Sequence, residues 1–364
     1  MQASRLFGLD LLRSIAIAQV MFAHGNTFTE SMVHANSYRW LILDGVGLFF
    51  VLSGYLIGGI LLKEIEQKAF DVKALFRFYG RRWLRTLPAY FVVLGLLLFL
   101  YFLRHQALPP FWYKYLVFTQ NLFSAHPLFF GEAWSLSVEE WFYLLMPLVF
   151  FVALHLPVER KSMVLSVILL FIFSVTMYRI YKVSQFDYFA HHQFGEDILK
   201  VVVTRLDSIM YGVLAAWIRL YHPKLFYARK ISLFLFGLLL LLLNNILFSA
   251  FYHTRLQYTV APIAVMLLLP YLSGLDVKES LITRCIRFIS RISYSMYLCN
   301  HMFVIRGLLP QLENTFHLNS YPPHVHNTIN LFFFWGLTLS LASLLYYGVE
   351  KPCLNLRDKW IPSR

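Results

Sequence analysis

Long apolar runs alternate with short polar stretches along the whole chain. Ten such runs lie near residues 8–25, 41–62, 87–103, 136–156, 163–178, 201–218, 231–250, 257–272, 288–305 and 328–349. A helix rising 1.5 Å per residue needs about 20 apolar residues to cross a hydrocarbon core of about 30 Å. The pattern therefore predicts an all-α fold, a polytopic membrane bundle of about ten transmembrane helices. No internal repeat, low-complexity tract or long linker breaks it, so one domain is expected over residues 1–364. The first run carries Arg13 at its middle and lacks a small-residue cleavage pattern. It reads as a retained helix rather than a signal peptide.

Composition agrees with the pattern. Of 364 residues, 59% are hydrophobic and only 14% are charged, against about 25% charged in soluble domains. A soluble enzyme, a disordered chain and a small disulfide scaffold are excluded. The net charge of +13 reflects topology more than partners. With the N-terminus cytoplasmic, 22 Lys and Arg fall on the inner face, from Arg5 and Lys68 to Arg364. Eight fall outside, namely Arg39, Arg104, Lys114, Arg179, Lys182, Lys200, Arg255 and Arg306. The positive-inside rule then predicts both termini in the cytoplasm, and a nucleic-acid partner is not expected. Cys285 and Cys353 fall near the inner face and Cys299 inside a run, so no structural disulfide is expected.

Ionisable residues inside the runs carry the chemistry, since each costs about 2.5–3.5 kcal/mol at mid-membrane on insertion scales. The first run holds Asp10, Arg13 and His24. Eleven residues at 100° each bring Arg13 and His24 to within about 20° of one helix face, roughly 16 Å apart along the axis. Arg13 pairing with Asp10, and His24 sitting at the interface, is the bland reading. Their shared face favours a polar channel or site. A second cluster, GEAWSLSVEEWFYLLMP at 131–147, sets Ser135 and Glu139 at i,i+4 with Glu140 next to them. Helix capping accounts for a serine and one glutamate. The second carboxylate is in excess, and beside a histidine it would raise the imidazole's basicity.

Between the second and third runs, FRFYGRRWLRTLP sets Arg81, Arg82 and Arg85 beside Trp83 in a cytoplasmic loop. Such a patch serves either as a topology signal and anionic-lipid contact or as a phosphate clamp, which arginine's forked donors suit. A phosphorylated donor such as an acyl-CoA fits the second reading. No Walker loop, GxGxxG fingerprint, HExxH or Cys/His ligand spacing occurs, so no metal site is expected. His191, His192, His317, His324 and His326 are scattered and read as solvated.

LDLLRSIAIAQVMFAHG, DGVGLFFVLSGYLI, RFYGRRWLRTLP, EAWSLSVEEWFYLLMP, RLDSIMYGVLAAW and ISYSMYLCNH together resemble, in order, the signature segments of the acyltransferase family 3 membrane proteins. These are O-acyltransferases that modify surface carbohydrates. The resemblance implies a ten-helix bundle in a bacterial inner membrane, with acetyl-CoA or another acyl-CoA as donor. It implies a lipid-linked or surface glycan as acceptor, such as lipopolysaccharide O-antigen, amid membrane lipids. Arg13 and His24 match the family's required pair, Ser135 and Glu139 its serine–glutamate signature, and Arg81, Arg82 and Arg85 its loop arginines. Asp44 and Ser53 match the segment around FFVLSG, and Arg205 a late arginine. One departure stands out. Where the family reads Tyr-Leu-any-His, this chain has Tyr297-Leu298-Cys299-Asn300-His301. That offset turns a side chain by about 100° and leaves His301 without an assigned role. The appended extracytoplasmic esterase-like domain of some relatives is not expected here.

The implied mechanism holds acyl-CoA phosphates on Arg81, Arg82 and Arg85 and leads the pantetheine arm past Arg13. His24, supported by Glu139, then takes the proton of a sugar hydroxyl. A covalent relay through Ser135 or Ser53 is the variant. Intramembrane Arg, His and Glu also suit a transporter or proton-coupled permease of a small polar or acyl substrate. A lipid-binding scaffold is the third class. Against transport, no inverted repeat is visible.

Overall fold

The computed structural model describes residues 6–29, 43–67, 70–185, 195–246 and 256–362. Arg5, Arg39, Lys68, Arg255, Arg364, His191 and His192, all used in the sequence reading, lie outside the described residues. Among the described residues every regular element is a helix. The principal helices are α1 (Phe7–His24), α2 (Gly45–Glu66), α3 (Val72–His105), α4 (Ala133–Ala153) and α5 (Arg160–Ser184). They continue with α6 (Leu206–Tyr221), α7 (Lys230–Ile246), α8 (Gln257–Leu272), α9 (Leu281–Cys299), α10 (Pro323–Leu345) and α11 (Lys351–Trp360).

Each of the ten apolar runs overlaps one of α1 to α10. Among the described residues, six helices have the length and composition to cross a membrane: α1 to α5 and the continuous rod over residues 323–360. Helices α7 and α8 are apolar but shorter. Phe99, Leu170, Phe173, Phe332 and Leu344, on α3, α5 and α10, are each more than half exposed. So broad an apolar surface suits lipid rather than water.

The basic stretch expected as a cytoplasmic loop is helical. Asp71 caps α3, accepting the Ala74 N–H at 2.7 Å, and the helix then runs 34 residues to His105. At about 51 Å it outreaches the hydrocarbon core. Its basic first half and apolar second half are one rod, because nothing between Val72 and Pro88 breaks helical geometry.

Helices α2 and α6 meet backbone to backbone. A Cβ added at Gly54 would stand 1.8 Å from the Ile209 carbonyl oxygen, and one at Gly212 would stand 2.0 Å from that of Val51. Small residues at such a crossing let helices pack where the hydrophobic effect does not distinguish helix from lipid. Arg179, counted as an outer-loop charge, is instead wholly buried on α5. Its guanidinium sits 2.8 Å from Asp207 of α6, also wholly buried, and donates to the Thr204 carbonyl and the Thr259 hydroxyl. An arginine near a helix end is snorkelling or buried depending on what the next helix offers, and Asp207 decides it.

Gly54→Leu should separate α2 from α6 and destabilise the bundle by about 1–3 kcal/mol or more, read as a lowered melting temperature in detergent. Arg179→Met alone strands Asp207 and should cost about 3–5 kcal/mol, whereas adding Asp207→Leu should restore most of the loss. A double mutant no more stable than the single one would contradict this account of the pair.

Candidate functional site: two polar chambers

Among the described residues, one polar cavity surrounds His24 and another lies among the arginines. The histidine cavity, of about 450 Å³, is lined by His24, Asp44, His126, Glu132, Trp134, Lys200, Tyr297, His301 and Arg306, among others. His24 ends α1 and hydrogen-bonds through Nδ1 to the Asn300 side-chain oxygen. The Asn300 amide nitrogen donates to the Met296 and Tyr297 carbonyls, 2.9 Å each. That orientation leaves only an acceptor facing the ring. His24 Nδ1 must carry the proton, so Nε2 is the basic nitrogen.

The motif offset is resolved locally. From Asn300 to Leu308 the chain winds as a π-helix, which absorbs an extra residue that α geometry would rotate away. Asn300 stands where the motif resemblance would set a histidine, and His301 joins the same cavity, its ring centroid 5.1 Å from that of His24. Glu132, only 2% exposed, accepts the backbone N–H groups of His301 (3.1 Å) and Met302 (2.8 Å). Its second oxygen lies 4.0 Å from His301 Nδ1. Glu132 thus pins the π segment against α4.

The arginine cavity, about 210 Å³, is lined by Arg13, Ser53, Arg82, Arg85, Ser135, Glu139, Tyr294, Tyr297, Glu350 and Arg357, among others. Arg82 donates to the Tyr143 hydroxyl and lies 3.6 Å from Glu139. Tyr143 donates to Glu139 at 2.6 Å and its hydroxyl is 3.0 Å from Ser53 Oγ. Arg13 is 3.5 Å from Asp10, and Ser290 bridges them, donating to Asp10 at 2.6 Å and accepting from Arg13 at 3.3 Å. The bland pairing and the cavity-lining role of Arg13 are therefore both present.

Glu139 is not where the sequence reading put it. It serves Arg82 and Tyr143, while His24 has Asn300. The cause is helical rise: Glu132, Ser135 and Glu139 succeed one another roughly a turn apart along α4, so Glu139 lies well down the axis from the histidine chamber. Glu140 lines neither cavity; it accepts the Thr86 hydroxyl at 2.7 Å and ties α4 to α3. Asp44 and Arg205 do come together, at 3.1 Å. Asp44 also caps α2 through the Gly47 N–H, and the Arg205 guanidinium lies over the Tyr258 ring at 4.5 Å.

The three loop arginines are unequal. Arg81 is held by Asp358 at 3.2 Å and by the Ile361 carbonyl. It faces an adjoining cavity of about 320 Å³ with Lys63, Arg77, Arg82, Arg85 and Arg357. Arg82, Arg85 and Arg357 line both this basic vestibule and the arginine cavity. The vestibule continues inward past them. Sequence reasoning missed Glu132, Tyr297, Asn300 and Arg357. The motif offset was the one visible signal, and it pointed at Asn300. His326, read as solvated, is partly buried 3.1 Å from Glu313.

Residues 6–347 match the acyltransferase 3 family, described as an acyltransferase domain, and the chain belongs to that family. An uncharacterized protein of Haemophilus influenzae is 30% identical over 224 residues, 55% of this chain and 89% of that protein. The O-acetyltransferase OatA of Staphylococcus aureus is 29% identical over 230 residues. That match takes in 58% of this chain but only 34% of OatA. No solved structure matches.

Asn300→Leu should remove the acceptor that sets the His24 tautomer. Losing one such buried hydrogen bond, worth about 1.5–3 kcal/mol, should lower kcat for acyl transfer on the order of 10–100-fold, with the donor KM unchanged. An unaltered kcat would show that Asn300 does not orient His24.

Proposed function

We propose that this protein is a membrane O-acyltransferase that moves an acetyl group from cytoplasmic acetyl-CoA to a hydroxyl of a surface or lipid-linked carbohydrate such as lipopolysaccharide O-antigen. The observation that carries the reading is the pairing of chambers. A basic vestibule suited to phosphates leads into one cavity, and a histidine whose partner leaves Nε2 basic stands in the next. The similarity to a protein named as an O-acetyltransferase supports acetyl as the group. Ten crossings with both termini cytoplasmic, in a bacterial inner membrane, would turn the arginine vestibule inward and the histidine cavity outward.

In this reading the CoA phosphates sit on Arg85, Arg357 and the vestibule's other cations. Arg85 is available to them because it lines both the vestibule and the arginine cavity. The acceptor hydroxyl enters the histidine cavity. His24 Nε2 takes its proton, the oxygen attacks the thioester carbonyl, and the CoA thiolate departs and is protonated. Asp44, held by Arg205, is an acceptor positioned for sugar hydroxyls. Ser135 has Tyr297 rather than a base as hydrogen-bond partner, which favours direct transfer over a serine relay.

Membranes carrying the wild type or His24→Ala, both confirmed as folded, would be incubated with radiolabelled acetyl-CoA and undecorated O-antigen. Base-labile ester label should fall by about 10²–10⁴-fold without the histidine. Equal label in both removes His24 as the base, and no wild-type label removes this donor–acceptor pair.

A further inference from the structure

The two chambers are separated by very little. Among the described residues, only Val46 of α2 and Tyr297 of α9 belong to both linings. Tyr297 is 6% exposed. Its hydroxyl is 2.6 Å from Ser135 Oγ and donates to the Glu132 carbonyl at 3.1 Å. Both anchors are on or next to the first turn of α4, where the helix passes from one chamber to the other. The Tyr297 carbonyl in turn accepts from Asn300, the partner of His24. One residue therefore lines both chambers with its side chain while its carbonyl holds the amide that faces the base.

We propose that Tyr297 is the partition between the donor and acceptor chambers, a positioning residue that admits the acyl group to His24 and keeps the chambers otherwise sealed. The assignment of donor and acceptor rests on the acyltransfer reading; the seal itself does not. An acyl-CoA in the arginine cavity and a base in the histidine cavity must meet at this neck, because both linings converge there. The ring fills the opening, and the hydrogen bonds to Ser135 and Glu132 fix it across the gap. A rotation about the side-chain torsions of Tyr297 would exchange those bonds for contacts with a thioester. With the ring removed, water of the histidine cavity would reach the thioester carbonyl. Its oxygen would add to that carbon, the carbon–sulfur bond would break, and acetate, free CoA thiol and a proton would result.

The seal is tested without relying on catalysis. Cys285, Cys299 and Cys353 are replaced by alanine, and Ala23→Cys or Ser53→Cys is introduced, lining the histidine and arginine cavities respectively. A charged, membrane-impermeant thiol reagent is applied to intact spheroplasts and, separately, to inside-out vesicles. From whichever side Ala23→Cys reacts, Ser53→Cys should be protected while Tyr297 is present. Tyr297→Ala should raise its labelling rate at least tenfold, and Tyr297→Phe, which keeps the ring, should leave it protected. Ala23→Cys labelling at an unchanged rate shows that each variant is folded. Ser53→Cys reacting from that side with Tyr297 in place would overturn the partition, as would continued protection in Tyr297→Ala. A wild type with this labelling pattern that transfers no acetyl group to O-antigen would sustain the partition and remove the proposed donor–acceptor pair. In an active wild type, Tyr297→Ala should raise CoA thiol released per ester formed severalfold; a ratio held at one would overturn the coupling role.

Discussion

Charge inside a membrane bundle has to be answered by other protein groups, because lipid offers neither counter-ions nor hydrogen bonds. That constraint organises this interior. Arg179 is met by Asp207 and by two threonines' oxygens, and α5 is fastened to α6. Arg82 is met by Glu139 and Tyr143, which joins α3 to α4. Arg205 holds Asp44 against the start of α2. Asp10, Arg13 and Ser290 link α1 to α9. The apolar packing between these points is permissive about register, and the polar links are not.

The same links divide the polar interior. Groups that neutralise one another, such as Arg82 and Glu139, form the walls of the arginine chamber. The groups around His24 meet it with a neutral amide and a second imidazole. A carboxylate beside His24 would hold it as an imidazolium more readily, while Asn300 fixes the tautomer without adding charge. Glu132 is used at one remove: its carboxylate receives two backbone N–H groups of the π segment and so places Asn300 and His301. The π winding, not a change of helix, is what lets two successive residues serve one cavity.

Helical rise distributes the work along α4. Glu132 belongs to the histidine chamber, Ser135 to the neck and Glu139 to the arginine chamber, each about a turn from the next. Ser135 and Glu139, which read as one cluster in the sequence, are separate stations along an axis that begins at Glu132. The geometry explains why Glu139 is not the partner of His24 although it shares a motif with Glu132, which lines the histidine chamber.

Apolar run length and the spacing of polar residues were enough to determine an all-helical membrane protein, the overlap of each run with a helix, and the alignment of Arg13 with His24 on α1. Those features are local: they follow from 1.5 Å and 100° per residue and from the exclusion of charge by lipid. Motif order added the family. The continuous α3, the burial of Arg179, the union of Asp44 with Arg205 and the choice of Asn300 over Glu139 depended on which helices became neighbours. So did Tyr297 as the residue common to both chambers, since a neck exists only between helices. Partner identity is a property of two elements at once, and no single stretch of sequence contains it; only packing such as the Gly54–Gly212 contact decides which stretches meet.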